Sequence, residues 1–203
     1  MPLTPEELLS ESRLRRTYRK FLPDMVDLNG IRNCIMTAAT APSGADKQPW
    51  HFCVITDPAL KQNIRREAEL VERTFYEEKI SDAWRQDLKK LKTGSEKPFL
   101  TEAPCLIAIF KEQYRILEDG SRDMNYYVNE SIGIAIGFLI NAIRNAGYAS
   151  LTYTPAPPAF LRTLLNRPEG ETPVMILCVG KPDPSYELPV LKKKSLEEVC
   201  DFF

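Results

Sequence analysis

Apolar positions along this chain repeat with two periods, and each change of period marks an element. Thr4-Pro5-Glu6-Glu7 has the form of a helix start, with a hydroxyl at the cap, proline at the first helical position and glutamate three residues on. After Asp27, the residues Ile31, Cys34, Ile35 and Ala38 share one helical face, and Pro42-Ser43-Gly44 signals a turn beyond them. Trp50–Thr56 reads as a buried strand. Asp57-Pro58 caps a following helix that turns Leu60, Ile64, Ala68 and Val71 inward. A strand is predicted over Pro104–Lys111 and a long helix over Tyr127–Ala146, closed by Gly147. Short elements follow: a strand at Ser150–Thr154, a helix at Pro158–Asn166, and a last strand at Pro173–Gly180.

Two stretches depart from this alternation. Between Arg65 and Lys97, 17 of 33 residues are charged and apolar positions are sparse, so any helix there buries little and is weakly held. The helix over 127–146 is the opposite case. Ile132, Ile134, Ile136, Phe138, Leu139, Ile140 and Ile143 make it apolar nearly all round, which requires cover on every side. A homodimer interface supplies such cover. The order of elements predicts an α+β fold, a mixed sheet wrapped by helices, in one domain spanning 1–203.

Composition narrows the function classes. A chain of 203 residues buries roughly 70% of its unfolded surface, enough for a core without disulfides or metals. Net charge is −1, unlike a dedicated nucleic-acid binder. No apolar run reaches membrane-spanning length. The opening MPLTPEELLSES is acidic and polar rather than signal-like. Cys34, Cys53, Cys105, Cys178 and Cys200 are odd in number and form no CxxC pair, which reads as reduced thiols in the cytoplasm. The one histidine, His51, has no evident catalytic or metal-binding partner, and we read it as structural.

Four segments carry candidate chemistry. Arg15-Arg16-Thr17-Tyr18-Arg19 concentrates guanidinium forks suited to phosphate oxygens. Its plain alternative is a solvated basic turn. Pro42-Ser43-Gly44-Ala45 can present free backbone N–H groups, or serve only as a helix-to-strand loop. Thr152-Tyr153-Thr154-Pro155 places hydroxyls at a strand end, or is simply β-forming. Lys192-Lys193-Lys194 is by default a solvated charge run. Neither GxGxxG nor GxxxxGK[ST] occurs, so a bound phosphate would be held by arginines.

In this order, the segments resemble the FMN-dependent nitroreductase superfamily and, within it, the iodotyrosine deiodinase family, from about Arg15 to Leu196. The resemblance implies FMN as cofactor and an obligate homodimer in which both subunits build each flavin site. The family's arginine cluster stands here as RRTYR, its TAPSGA…PW stretch as TAPSGADKQPW and its TP strand end as LTYTP. FMN-binding roles carry over to Arg15, Arg16, Thr17, Arg19, Pro42, Ser43, Gly44, Thr152, Tyr153, Thr154 and Lys193. Lysine at 193, where arginine is common, keeps the charge without the fork. Thr154 is the candidate catalytic hydroxyl, at flavin N5.

The charged stretch matches the deiodinase lid. Glu72, Tyr76 and Lys97 stand at the lid's spacings, and the run Asp87–Thr93 is also family-like. The resemblance implies a mobile lid at about 69–97 in which Glu72 meets the ammonium of a halotyrosine, Lys97 its carboxylate and Tyr76 adds a hydrogen bond, while the Ala45 amide holds the phenolate. The implied reaction replaces carbon–halogen by carbon–hydrogen on iodotyrosines, with bromo- and chlorotyrosine as further candidates. Electrons would come from NAD(P)H or a separate reductase. Two alternatives stay open: a general NAD(P)H-dependent nitroaromatic or quinone reductase of the same fold, and a non-catalytic flavin- or amino-acid-binding sensor.

Overall fold

The centre of the molecule is set by a run of apolar residues that no single sheet face can absorb. Cys105–Phe110 are all buried, so their strand must be covered on both faces and flanked on both sides. The computed structural model, which describes residues 3–91 and 93–203, shows this arrangement. Strands β1 (Trp50–Ile55), β2 (Cys105–Glu112), β5 (Ala149–Tyr153) and β6 (Glu171–Gly180) form one sheet in the order β1-β2-β6-β5. The buried β2 and β6 lie inside, in register Leu106 with Cys178 and Ala108 with Ile176.

Side chains alternate across the sheet and divide the core in two. On one face Leu106, Ala108, Phe110, Ile176, Cys178, Leu151 and Tyr153 pack with Ile64 and Ala68 of α3 (Pro58–Thr74), Phe99 and Leu100 of α5 (Phe99–Glu102), and Leu161 of α7 (Phe160–Leu164). On the other, Cys105, Ile107, Ile109, Leu177 and Val179 meet α2 (Leu28–Ala39) and α6 (Val128–Asn145). The caps form as the sequence predicts. Thr4 and Glu7 close a capping box on α1 (Pro5–Arg13), and the carboxylates of Asp27 and Asp57 accept N–H groups at the starts of α2 and α3.

The α+β class is borne out, with four refinements. Among the described residues every strand pair is antiparallel, and the parallel component of the expected mixed sheet is a single bridge, Thr17 with Ser150. β1, expected to be buried, is an edge strand with Val54 41% exposed, because only β2 pairs with it. On α3, the expected Leu60 and Val71 are half-buried, whereas Lys61 and Glu72 are buried beside Ile64 and Ala68. A hairpin of β3 (Tyr114–Ile116) and β4 (Arg122–Met124) was not predicted; its strands are too short and polar to show a period.

Helix α6 buries only one side within a single chain. Ile132, Ala135, Ile136, Leu139 and Ile143 face α2 and the sheet, while Ile134 and Phe138 are exposed. The exposed glycines 133 and 137 have open space beside them. Helix α1 buries no residue, and Leu196, Val199, Phe202 and Phe203 of the C-terminal tail are exposed. Leu139, wholly buried, gives a direct test of the inner face. Leu139→Ala should lower unfolding free energy by about 2–5 kcal/mol in chemical denaturation, and a loss under 1 kcal/mol would contradict this packing.

Candidate functional site

The site is organised by one face of α3. Residues 61, 65, 69 and 72 recur at helical spacing, and each grips the segment that leads into β2. The Lys61 ammonium donates to the carbonyl of Ala103 at 2.7 Å, and the Arg65 guanidinium to the Thr101 hydroxyl at 2.9 Å. The Glu69 carboxylate accepts the Lys97 backbone N–H at 2.8 Å and the Arg65 Nε–H at 2.7 Å. At the end of the row, Glu72 Oε2 lies 3.0 Å from Lys97 Nζ.

The Glu72–Lys97 pair is nearly dry, with side chains 11% and 5% exposed. The Tyr153 hydroxyl donates to Glu72 Oε1 at 3.0 Å, and Lys97 also donates to the Gly94 carbonyl at 2.6 Å. The ammonium lies 5.6 Å from the centre of the Tyr76 ring and 5.4 Å from that of Tyr153. Burial pushes the Lys97 ammonium below its ordinary value, and the Glu72 carboxylate works against that shift. Burial, then the nearby Glu72 charge, raises the phenols of Tyr76 and Tyr153, so both stay protonated donors.

These residues border a cavity of about 380 Å³ that Arg19, Thr152 and Thr154 also line. Its apolar wall is Phe75, Trp84, Leu88 and Phe99. The charged stretch that encloses it is folded: α3 runs into a π-helical turn, Phe75–Lys79, followed by α4 (Asp82–Lys90). That turn lets Phe75 meet Trp84 edge-on at 4.9 Å and gives the Tyr76 carbonyl to Arg85 at 2.8 Å. Lys92, within the run Asp87–Thr93, lies outside the described residues. Sequence reasoning missed the aromatic wall, although a lone tryptophan in so charged a stretch is a usable signal.

The arginine cluster is held along β5. Tyr18 N–H donates to Ser150 O at 3.3 Å, beside the Thr17–Ser150 bridge. Arg15, Arg16 and Thr17 share a cavity of about 390 Å³ with Lys193, which is brought there by a tail whose Pro189 carbonyl accepts from the Arg16 guanidinium. Alternation along β5 leaves Thr152 and Thr154 exposed and turns Tyr153 inward. All three border the same cavity as Glu72 and Lys97.

The Pro42–Ala45 loop lines neither cavity. It precedes β1, at the opposite edge of the sheet from β5, roughly 14 Å away across three strand spacings. There Ser43 Oγ accepts the Gln48 N–H at 2.9 Å and Gly44 N–H donates to Ser131 Oγ at 3.4 Å. Glycine is required at 44, where a Cβ would lie 2.9 Å from both the Tyr126 carbonyl and the Tyr127 ring. Ala45 adopts the left-handed region at φ 50° and, with Pro42, faces outward.

Cys105 and Cys178 are buried in strands, and burial pushes both thiols up, which makes them inert core residues. Among the described residues no cluster of three or more potential metal ligands occurs, and no helix is long and apolar enough to cross a membrane.

The sequence model of the Nitroreductase family matches residues 13–181. The chain belongs to this family. Within it, the chain is 46% identical over 197 residues to an iodotyrosine deiodinase of Haliscomenobacter hydrossis, covering 94% of this chain and 89% of that protein. It is 40% identical over 195 residues to the human iodotyrosine deiodinase 1, covering 95% of this chain and 66% of that protein. A solved iodotyrosine deiodinase bound to FMN and 3-iodo-L-tyrosine superposes with TM-score 0.83 at 31% identity, covering 96% of this chain and 100% of that one. A BluB-like flavoprotein from Clostridium difficile 630 shares the fold, with TM-score 0.75 at 23% identity over 97% of this chain and 99% of that one.

The pH response of the α3 face follows from Glu69. Burial alone would raise its carboxyl, but the Lys97 N–H and Arg65 outweigh burial and hold it below the ordinary range. A depressed carboxyl contributes stability that is complete above its ordinary value of 4.5 and is lost as pH falls through the lower folded value. Glu69→Gln should therefore cost about 1–2 kcal/mol at pH 7 and flatten the acid limb of a stability–pH profile. An unchanged acid limb would show that Glu69 holds nothing in place.

Proposed function

We propose that this protein is an FMN-dependent reductive dehalogenase of halotyrosines, acting on 3-iodotyrosine and 3,5-diiodotyrosine, with bromo- and chlorotyrosine as further substrates. One observation carries this reading: Glu72, Tyr76 and Lys97 converge on a single aromatic-walled cavity that Thr154 also borders. A carboxylate and an ammonium 3.0 Å apart in a nearly dry site suit a zwitterion, whose opposite charges can take over both ends of the pair. The phenyl ring then faces Phe75 and Trp84. A general nitroaromatic or quinone reductase has no use for this paired charge.

The residues present fit FMN. Arg15, Arg16, Thr17 and Lys193 line one cationic cavity, suited to a phosphate, and Arg19, Thr152 and Thr154 continue along the β5 edge toward the substrate cavity. Bound FMN, once reduced, supplies the two electrons that replace carbon–halogen by carbon–hydrogen. Thr154 would donate its hydroxyl to the bound cofactor, the Ala45 N–H would donate to the substrate phenolate, and the lid residues would exclude water.

The division of the site supports a homodimer. Pro42, Ser43, Gly44 and Ala45 sit at the edge opposite Arg15 and Thr154, so we propose that a second copy brings its own loop to complete each site. The exposed Ile134 and Phe138 of α6 supply the contact. The protein is one domain over 1–203 with a lid at about 69–97. It draws electrons from NAD(P)H or a separate reductase, and it works in the cytoplasm, where its five free thiols stay reduced.

Two experiments test this. FMN-loaded protein, reduced anaerobically and mixed with 3-iodotyrosine, should reoxidise while tyrosine forms in matching amount. Lys97→Ala should abolish that reaction while leaving nitroaromatic reduction intact. Flavin that stays reduced with 3-iodotyrosine but reoxidises with a nitroaromatic would establish the general reductase instead. Ile134→Glu should yield a monomer in sedimentation that loses FMN on purification, and a dimeric, FMN-retaining variant would place the subunit contact elsewhere.

A further inference from the structure

We infer that the Tyr153 side chain is a positioning group for amino-acid recognition: its hydroxyl holds Glu72 aimed into the cavity. This inference rests on the halotyrosine reading above. A carboxylate has two oxygens, and here each has its own partner. Oε1 accepts from the Tyr153 hydroxyl at 3.0 Å, and Oε2 faces Lys97 Nζ at 3.0 Å. When a zwitterion enters, Lys97 turns to the ligand carboxylate and Oε2 is released to the ligand ammonium. Tyr153 is not displaced by that exchange. It keeps Oε1, so Glu72 does not swing away at the moment its charge is needed.

The placement of Tyr153 suits this role. It is 7% exposed and sits between two exposed residues, Thr152 and Thr154. Its ring is fixed edge-on against Phe99 at 5.6 Å and lies under the Lys97 ammonium. The last residue of β5 therefore anchors the lid, one position before the Thr154 proposed for the flavin. A threonine at 153 could not reach Glu72. The phenol remains a donor, because burial and the adjacent Glu72 both disfavour its ionised form.

The test uses Tyr153→Phe, which keeps the ring and its packing, and Glu72→Gln, which keeps the shape of the carboxylate. In FMN-loaded protein, Tyr153→Phe should raise the Kd for 3-iodotyrosine about tenfold, the scale of one lost hydrogen bond to a charged group. The Kd for 2-iodophenol, which has no ammonium, should change less than twofold, as should the Kd for FMN. The double variant should bind 3-iodotyrosine no more weakly than Glu72→Gln alone. Trypsin should cut the ligand-free lid at Arg73, Lys79 or Arg85 several-fold faster in Tyr153→Phe. Equal losses for both halogenated ligands, weakened FMN binding or additive losses would overturn the inference. If the unmodified protein does not bind 3-iodotyrosine, the halotyrosine reading fails by itself. Lid cleavage then decides alone: faster cutting in Tyr153→Phe supports the anchor, and unchanged cutting overturns it.

Discussion

The ion pair between Glu72 and Lys97 is the constraint from which the functional half of the molecule follows. Removing two charges from water costs several kcal/mol per ion, and only good geometry with additional hydrogen bonds offsets it. Here those bonds come from Tyr153 on β5 and from the Gly94 carbonyl, while Glu69 fixes the Lys97 backbone. Satisfying one buried pair therefore ties together α3, the segment entering β2, and the end of β5. The cavity lies where those three elements meet the π-helical turn and α4.

The same constraint explains why so charged a helix packs on an apolar core. Lys61 and Glu72 are buried on the face that also carries Ile64 and Ala68. Each polar group on that face has a named partner in the 94–103 segment or on β5, so its desolvation is compensated. Burial lowers the Lys61 ammonium without leaving it alone, because the Ala103 carbonyl accepts its proton at 2.7 Å. The beginning of the row anchors the strand entry, and its end is left facing the cavity.

The sheet order has a second consequence. With β1 and β5 at opposite edges, the Pro42–Ala45 loop and the arginine–threonine edge cannot meet within one chain without crossing two central strands. The one-sided burial of α6 and the exposed apolar residues of the tail point the same way. Such exposed apolar surface is what the proposed second copy would cover.

Much of the architecture was legible in the sequence because it depends on local rules. The caps at Thr4, Asp27 and Asp57, the continuous apolar runs of β2 and β6, and the stop at Gly147 each follow from backbone geometry or from the period of burial. The family motifs were legible for a related reason: Arg15-Arg16, Pro42-Ser43-Gly44 and the Glu72, Tyr76, Lys97 spacing are patterns of residue type. The direction in which a side chain serves was not legible. Tyr153, to which the family resemblance gives a flavin-binding role, also donates its hydroxyl to Glu72, because a strand alternates its faces and α3 covers the inner one. Val71 and Leu60, apolar by type, yield the buried positions to Glu72 and Lys61, whose partners Tyr153 and Ala103 lie 81 and 42 residues along the chain, where no local pattern encodes their approach. β1 reads as buried and is an edge because strand neighbours are chosen by the whole sheet. The sequence by itself determined most helix and strand segments, the β3–β4 hairpin excepted, and which chemistry the chain carries, since these depend on nearby residues. Which charges pair, which side chains are buried and which loops lie at opposite sheet edges were decided only by the tertiary structure, because they depend on long-range contacts.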